Sequence, residues 1–215
     1  MNWYLLHISS LPESAYTKWS AVMDARKRRK TDALCFREDK QRAVFADMLA
    51  RLALCAHVGC TPESIVFSTH PGGKPFAPDL PAEFNVSHCD DLVVCMVDDR
   101  PVGIDVEKIR PISHRLLLRV CSPQECAFVL GEHLSKCPDM LTDTAVLERF
   151  FRIWTAKEAY TKYTGTGLTV DLRQIYVDTA KIRTSVYGEY VISLCSETFS
   201  VGADVRLPLP TPITP

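Results

Sequence analysis

No stretch of this chain approaches the ~18 uninterrupted apolar residues of a membrane span, and the opening Met1-Asn2-Trp3-Tyr4 carries no basic n-region. A cytoplasmic location without membrane attachment is therefore expected. There is no C-x-x-C pair among the nine cysteines, and Cys55/Cys60 and Cys121/Cys126 have neither zinc-finger spacing nor nearby histidines. The cysteines read as reduced, buried filler; His88-Cys89 is not a nucleophile pair, because neighbours on a strand point to opposite faces. Excess charge of one sign is missing too: 25 Lys+Arg against 26 Asp+Glu leave a net −1, so any anion site must be local. Arg26 to Lys30 is a basic run without interleaved aromatics, which argues against nucleic acid as a partner. Nor is there a low-complexity linker or a short repeat.

What is present is core-forming material. Apolar residues make up 47% and charged residues 24% of 215, enough for one substantial domain or two small ones. The patterning predicts strands at 3–8, 65–68, 84–88, 92–97 and 102–107, the last two as a hairpin across Asp98-Asp99-Arg100. It predicts helices at 14–30, 37–57 (closed by Gly59), 114–120, 122–131 and 143–163 (closed by Gly165). The fourth opens on a capping signal, Ser122-Pro123 with Glu125. Strand character returns at 176–177, 190–194 and 199–205, before a proline-rich tail from Leu207. Two long helices, each followed by strands, suggest an α+β fold of two similar halves, 1–103 and 104–215.

The chemistry lies in two segments. In Val102-Gly103-Ile104-Asp105-Val106-Glu107, side chains two apart share a strand face, so Asp105 and Glu107 can reach one ion together. Taken alone, this pair reads rather as the solvent face of a strand whose Ile104 and Val106 point inward. In Trp154-Thr155-Ala156-Lys157-Glu158-Ala159-Tyr160-Thr161-Lys162, Glu158 and Lys162 follow Trp154 at steps of four. They stay near the apolar side marked by Leu147, Phe150, Phe151 and Trp154. An i,i+4 pair between them is one reading; a third metal-binding carboxylate beside a phosphate-binding ammonium is the other, favoured once Asp105 and Glu107 are counted. Ser87 and His88 at a strand end, and Lys74 in the Gly-Lys-Pro loop, offer donors to phosphate. The Asn85-Val86-Ser87 sequon has no meaning in a cytosolic chain.

Phe84-Asn85-Val86-Ser87-His88, Gly103-Ile104-Asp105-Val106-Glu107 and Phe150 to Lys162 with Gly165-Thr166-Gly167-Leu168 together resemble the 4′-phosphopantetheinyl transferases, specifically the surfactin-synthetase-activating (Sfp-type) group, over residues 20–205. The resemblance implies an enzyme of the holo-carrier-protein synthase type. Such an enzyme moves the phosphopantetheine arm of coenzyme A to a serine of an apo acyl or peptidyl carrier protein of fatty-acid or secondary-metabolite synthesis, releasing adenosine 3′,5′-bisphosphate. It implies a monomer with pseudo-twofold symmetry and a cleft holding coenzyme A and Mg²⁺. By motif position, Asp105, Glu107 and Glu158 hold the metal, and Lys162 binds the diphosphate. Glu158, or water on the ion, takes the serine proton; Ser87, His88, Lys74, Lys27 and Lys30 bind coenzyme A. Cys89 and Ala43 depart from the family's small polar residue and threonine. The alternatives are a non-catalytic coenzyme A-binding regulator of the same fold, and a nucleic-acid module on the basic run.

Overall fold

The structure is a computed structural model and describes residues 1–131, 139–167, 170–197 and 199. Helices and strands mix as the α+β expectation requires, in two antiparallel three-stranded sheets. The first orders β1 (Asn2–His7), β5 (Leu92–Asp98) and β4 (Glu83–Cys89), with Tyr4 opposite Cys95 and Ser87 opposite Val94. The second orders β6 (Val102–Lys108), β10 (Tyr190–Ser196) and β9 (Ile182–Tyr187), with Asp105 opposite Ser193.

Alternation along β5 explains how these sheets stack. Its run Leu-Val-Val-Cys-Met-Val is apolar throughout because both faces are covered. Val93, Cys95 and Val97 pack with Val44, Phe45, Met48 and Leu49 of the long helix α3 (Arg37–Val58). Leu92, Val94 and Met96 meet Val102, Ile104 and Val106 of β6 and Ile192 and Leu194 of β10. The opposite face of the second sheet receives the other long helix, α6 (Thr144–Thr164), whose Phe150 and Phe151 share a core with Val191. The order of layers is helix, sheet, sheet, helix.

Helix ends follow the sequence signals. Gly59 (φ 77°) closes α3 and Gly165 (φ 71°) closes α6 in the left-handed conformation. The capping box of Ser122 and Glu125 opens α5 (Pro123–Leu130), which follows α4 (His114–Val120).

Several expectations are corrected. The 14–30 helix is two, α1 (Glu13–Val22) and α2 (Ala25–Asp32). Met23 turns extended (ψ 144°) to bury its side chain, and the Asp24 carboxylate accepts the Lys27 N–H at 2.8 Å, capping a new helix. β5 and β6 are not a hairpin: both edges of β5 are occupied, by β1 and β4, so the chain passes Pro101 into the other sheet. Residues 65–67 form no strand, because Arg51 takes the Ile65 carbonyl at 2.7 Å; only β2 (Ser68–Thr69) pairs, with β3 (Pro75–Phe76). Tyr176-Val177 lies in a loop between turns held by the Asp171 and Asp178 carboxylates. Edge strand β9 has no apolar alternation to announce it. β7 (Ile112–Ser113) and β8 (Met140–Leu141) complete the set. The expected strand at 199–205, except Phe199, and the tail from 207 fall outside the described residues.

On the outer side of α6, Lys157 is buried, 1% exposed, and its ammonium donates to Glu125 (2.5 Å), the Leu172 carbonyl (2.8 Å) and the Val120 carbonyl (3.0 Å). It ties α4, α5 and the 172 loop to the helix. Lys157→Met takes the ammonium from two carbonyls and leaves the Glu125 carboxylate with the Ser122 N–H of the capping box. The expected loss is about 3 kcal/mol, the low end for breaking a buried pair, because the Glu125 side chain keeps 28% exposure. Urea unfolding monitored by circular dichroism reads it, and an unchanged midpoint would contradict the tie.

Candidate active site

The two sheets meet along a seam between β4 and β6, two strands that are not hydrogen-bonded to each other as a ladder. Side chains from β4 bridge it instead. Asn85 Oδ1 accepts the Ile104 N–H (2.9 Å), Ser87 Oγ donates to Asp105 Oδ1 (2.8 Å), and Cys89 Sγ accepts the Lys108 N–H (3.4 Å) while lying 3.7 Å from Glu107 Oε2. Asn85, Ser87 and Cys89 stand opposite Met96, Val94 and Leu92 on β5, so all three face the second half. The residue read as an idle sequon is thus a structural acceptor, and Cys89 is occupied with the seam rather than with His88.

Helix α6 closes over this seam at Gly103. A β-carbon there would lie 1.9 Å from the Ala159 carbonyl oxygen and 2.6 Å from the Tyr163 nitrogen. Only hydrogen fits, and the helix backbone rests directly on the strand. Lys162 consequently reaches across: its Nζ donates to Asp105 Oδ1 (2.6 Å), Ser87 Oγ (3.0 Å) and the Ile104 carbonyl (3.2 Å). The helix lysine pairs with the strand acid and not with Glu158, a choice that i,i+4 spacing could not foretell.

Asp105 is buried, 4% exposed, so it is not the solvent-facing strand residue of the simpler reading. Its Oδ2 is buried without a hydrogen-bond partner among the described residues. Glu107 is held above the ordinary carboxylate range, first by burial and then by the Asp105 charge, against the Arg110 guanidinium at 3.3 Å. Glu158 is raised by burial, then by Asp105, with Glu107 adding to it and Lys162 opposing. The three acids therefore feel one another's charge.

Among the described residues, no three Asp, Glu, His or Cys side chains stand grouped as they would around a metal ion. The Lys162 ammonium pairs with Asp105 in their midst. Their chemistry nevertheless fits a hard divalent cation: all donors are carboxylate oxygens, one of them buried and bare, and two carry raised proton affinity that a cation would relieve.

Positive charge gathers beside the acids. The His88 residue is exposed, yet its imidazole is held below its usual value, first by burial of the ring against its neighbours and then by the charges of Arg42 and Lys162. Arg42 on α3, ion-paired to Asp39 and donating to the Asp90 carbonyl at 3.5 Å, was not singled out from sequence; one arginine on a helix already rich in charge carries no signal. Lys74 donates to the Val102 carbonyl (3.0 Å), with burial lowering its proton affinity. It lines a groove of about 410 Å³ with His70, Gly72 and the end of α6 at Tyr163 to Gly165. Lys27 is instead drawn to Asp47, at 2.8 Å, itself the partner of the buried Arg51 (2.6 Å). Lys30 is exposed one turn further along α2. Neither contacts the Asp105 group.

Of the eight cysteines described, Cys95, Cys121, Cys126 and Cys195 are buried, Cys55, Cys60 and Cys89 half-buried, and Cys35 exposed. The filler reading holds for four. No helix among the described residues is long and apolar enough to cross a membrane.

Comparison with known proteins supplies matches along most of the chain. Residues 12–99 match the model of the 4′-phosphopantetheinyl transferase N-terminal region, and residues 101–205 match that of the 4′-phosphopantetheinyl transferase superfamily. A 4′-phosphopantetheinyl transferase of Bacillus subtilis is 37% identical over 153 residues, 71% of this chain and 64% of that protein, so the match spans less than two thirds of that relative. The 4′-phosphopantetheinyl transferase Sfp of Bacillus subtilis (strain 168) is 32% identical over 185 residues, covering 86% of this chain and 76% of Sfp. The AcpT protein of Escherichia coli (strain K12), also a 4′-phosphopantetheinyl transferase by name, is 33% identical over 161 residues, 73% and 78% of the two chains.

Proposed function

We propose, on the premise that this chain belongs to the 4′-phosphopantetheinyl transferase superfamily, that it transfers the 4′-phosphopantetheine arm of coenzyme A to a serine of an apo acyl or peptidyl carrier protein, in the manner of a holo-carrier-protein synthase. The observation that carries this reading is the contact of Lys162 with Asp105 and Ser87 in the seam, within the field of Glu107 and Glu158.

In the proposed reaction the serine oxygen attacks the phosphorus on the pantetheine side of the diphosphate. The bond to the bridging oxygen breaks, and adenosine 3′,5′-bisphosphate leaves. Lys162 Nζ turns from Asp105 to the diphosphate and offsets charge on the departing phosphate. Glu158 receives the serine proton on its carboxylate; the burial and repulsion that raise its proton affinity suit it to that task. Ser87, His88, Arg42 and Lys74 orient the phosphates and nucleotide of coenzyme A, with Lys27 and Lys30 as outlying cations. Asp105, Glu107 and Glu158 would hold a divalent ion, proposed as Mg²⁺, which supplies positive charge against the diphosphate when bound. The halves are proposed as pseudo-twofold relatives joined at the Asp99–Pro101 turn, since β6 lies wholly in the second sheet. One copy then supplies both walls, and a monomer in the cytoplasm suffices.

The test is incubation with coenzyme A, Mg²⁺ and a panel of apo-carriers, read by intact mass. Addition of one phosphopantetheine is expected. Coenzyme A binding with no carrier modified across the panel would favour the regulatory reading instead.

The cation also has a readout apart from turnover. A carboxyl whose proton affinity is raised by folding lends stability below the ordinary carboxylate range, and loses it as the pH climbs through the raised value. Glu107 and Glu158 are such groups, so at neutral pH they strain the fold and a bound cation relieves them. Mg²⁺ at about ten times its Kd is expected to raise Tm by about 3–5 °C near pH 7.5. Near pH ~4.5, where protons compete for the carboxylates, the shift should be much smaller. Equal shifts at the two pH values would remove these acids from the cation site.

A further inference from the structure

We propose that Cys55 and Cys60 form a reversible oxidation site, a dithiol that a hydroperoxide converts to a disulfide. Cys55 lies in the last turn of α3 and Cys60 directly after its closing residue Gly59. The Cys60 thiol donates to the Cys55 sulfur at 3.3 Å. Both residues are half-buried, so an oxidant the size of water reaches them. A disulfide sets the sulfurs ~2.05 Å apart. The two sulfurs therefore have to close by roughly 1.2 Å.

The rest of the chain shows why these two are distinguished. Cys121 and Cys126 repeat the same sequence spacing, but at 2% and 8% exposure they sit in the second core, and the Cys126 thiol donates to the Cys121 carbonyl. Cys95 and Cys195 have no exposure. Cys89 is engaged with Lys108 and Glu107. Cys35 is exposed, with no thiol contact among the described residues.

The step balances as follows. The Cys60 sulfur, as thiolate, attacks one peroxide oxygen; the O–O bond breaks, the other oxygen leaves as water once protonated, and Cys60 becomes a sulfenic acid. The Cys55 sulfur then attacks the Cys60 sulfur, the S–O bond breaks, and a second water leaves with the Cys55 proton. Two thiols and one hydrogen peroxide give one disulfide and two waters. Burial and the neighbouring thiol push the Cys55 proton affinity up to about 12, so Cys55 keeps its proton while Cys60 meets the peroxide. Arg51 already pins this segment through the Pro62 and Ile65 carbonyls, each at 2.7 Å.

The experiment treats the folded native chain with a few equivalents of hydrogen peroxide, alkylates with iodoacetamide, and maps peptides by mass. The peptide holding both residues is expected to be lighter by two hydrogen atoms and to resist alkylation until dithiothreitol is added, while Cys121 and Cys126 remain thiols. In Cys60→Ser, Cys55 is expected to stay open to alkylation after peroxide. Both cysteines alkylated in the oxidised native chain, sulfinic acid at either, or earlier pairing of Cys121 with Cys126 would each overturn the proposal.

Discussion

Asp105→Asn is expected to lower carrier modification by about 10²–10³-fold, the scale of losing one preorganised electrostatic group in a phosphoryl-transfer site. The amide keeps the shape, and its oxygen can still accept from Ser87, so Tm is expected to move by less than about 3 °C, the effect of ~1 kcal/mol. What goes is the charge that holds Lys162 at 2.6 Å and raises Glu158 and Glu107. Three functions fail together: the lysine loses its anchor, Glu158 loses proton affinity, and the acids lose a donor for the cation. Initial rates by intact mass at saturating coenzyme A, beside a thermal melt, separate chemistry from folding. Near-normal turnover in the folded variant would remove Asp105 from the machinery. Lys162→Gln provides an independent check, since it should weaken coenzyme A binding as well as turnover.

Gly103→Ala is expected to be worse for the molecule as a whole. A methyl group 1.9 Å from a helix carbonyl meets backbone, which cannot rotate away as a side chain would. The strand and helix must part by roughly 1 Å or the fold must give way, and overpacking against unyielding neighbours exceeds the usual ~1–3 kcal/mol. We expect a loss above about 4 kcal/mol, read as a fall in the urea midpoint or in soluble yield. Whatever fraction still folds should be inactive, because Glu158 and Lys162 retreat with the helix. Wild-type stability would show that the contact is looser than described.

Much of this site could be read without coordinates, and the reason is local periodicity. Asp105 and Glu107 share a face because they are two apart, and Glu158 and Lys162 follow the apolar side of α6 because they are four apart. Contacts decided by distant partners were out of reach. Whether Leu92–Val97 pairs with β6 or with β1 and β4 depends on which edges other strands have filled, and an apolar run is compatible with either. The break at Met23–Asp24 is a capping event inside a pattern that otherwise continues a helix. Lys162 chose Asp105 over Glu158 through the approach of α6 at Gly103, whose glycine looked like any other in the motif. Lys27, placed at coenzyme A by resemblance, is held by Asp47, an acid buried on α3 that no local pattern announces.

Because Asn85, Ser87 and Cys89 supply the mortar between β4 and β6, neither side carries the whole candidate set alone. A nick in the Asp99–Pro101 turn would leave Ser87, His88 and Arg42 on one fragment, and Asp105, Glu107, Glu158 and Lys162 on the other. Activity would then report reassembly of the two pieces, making this chain a candidate for split-reporter complementation.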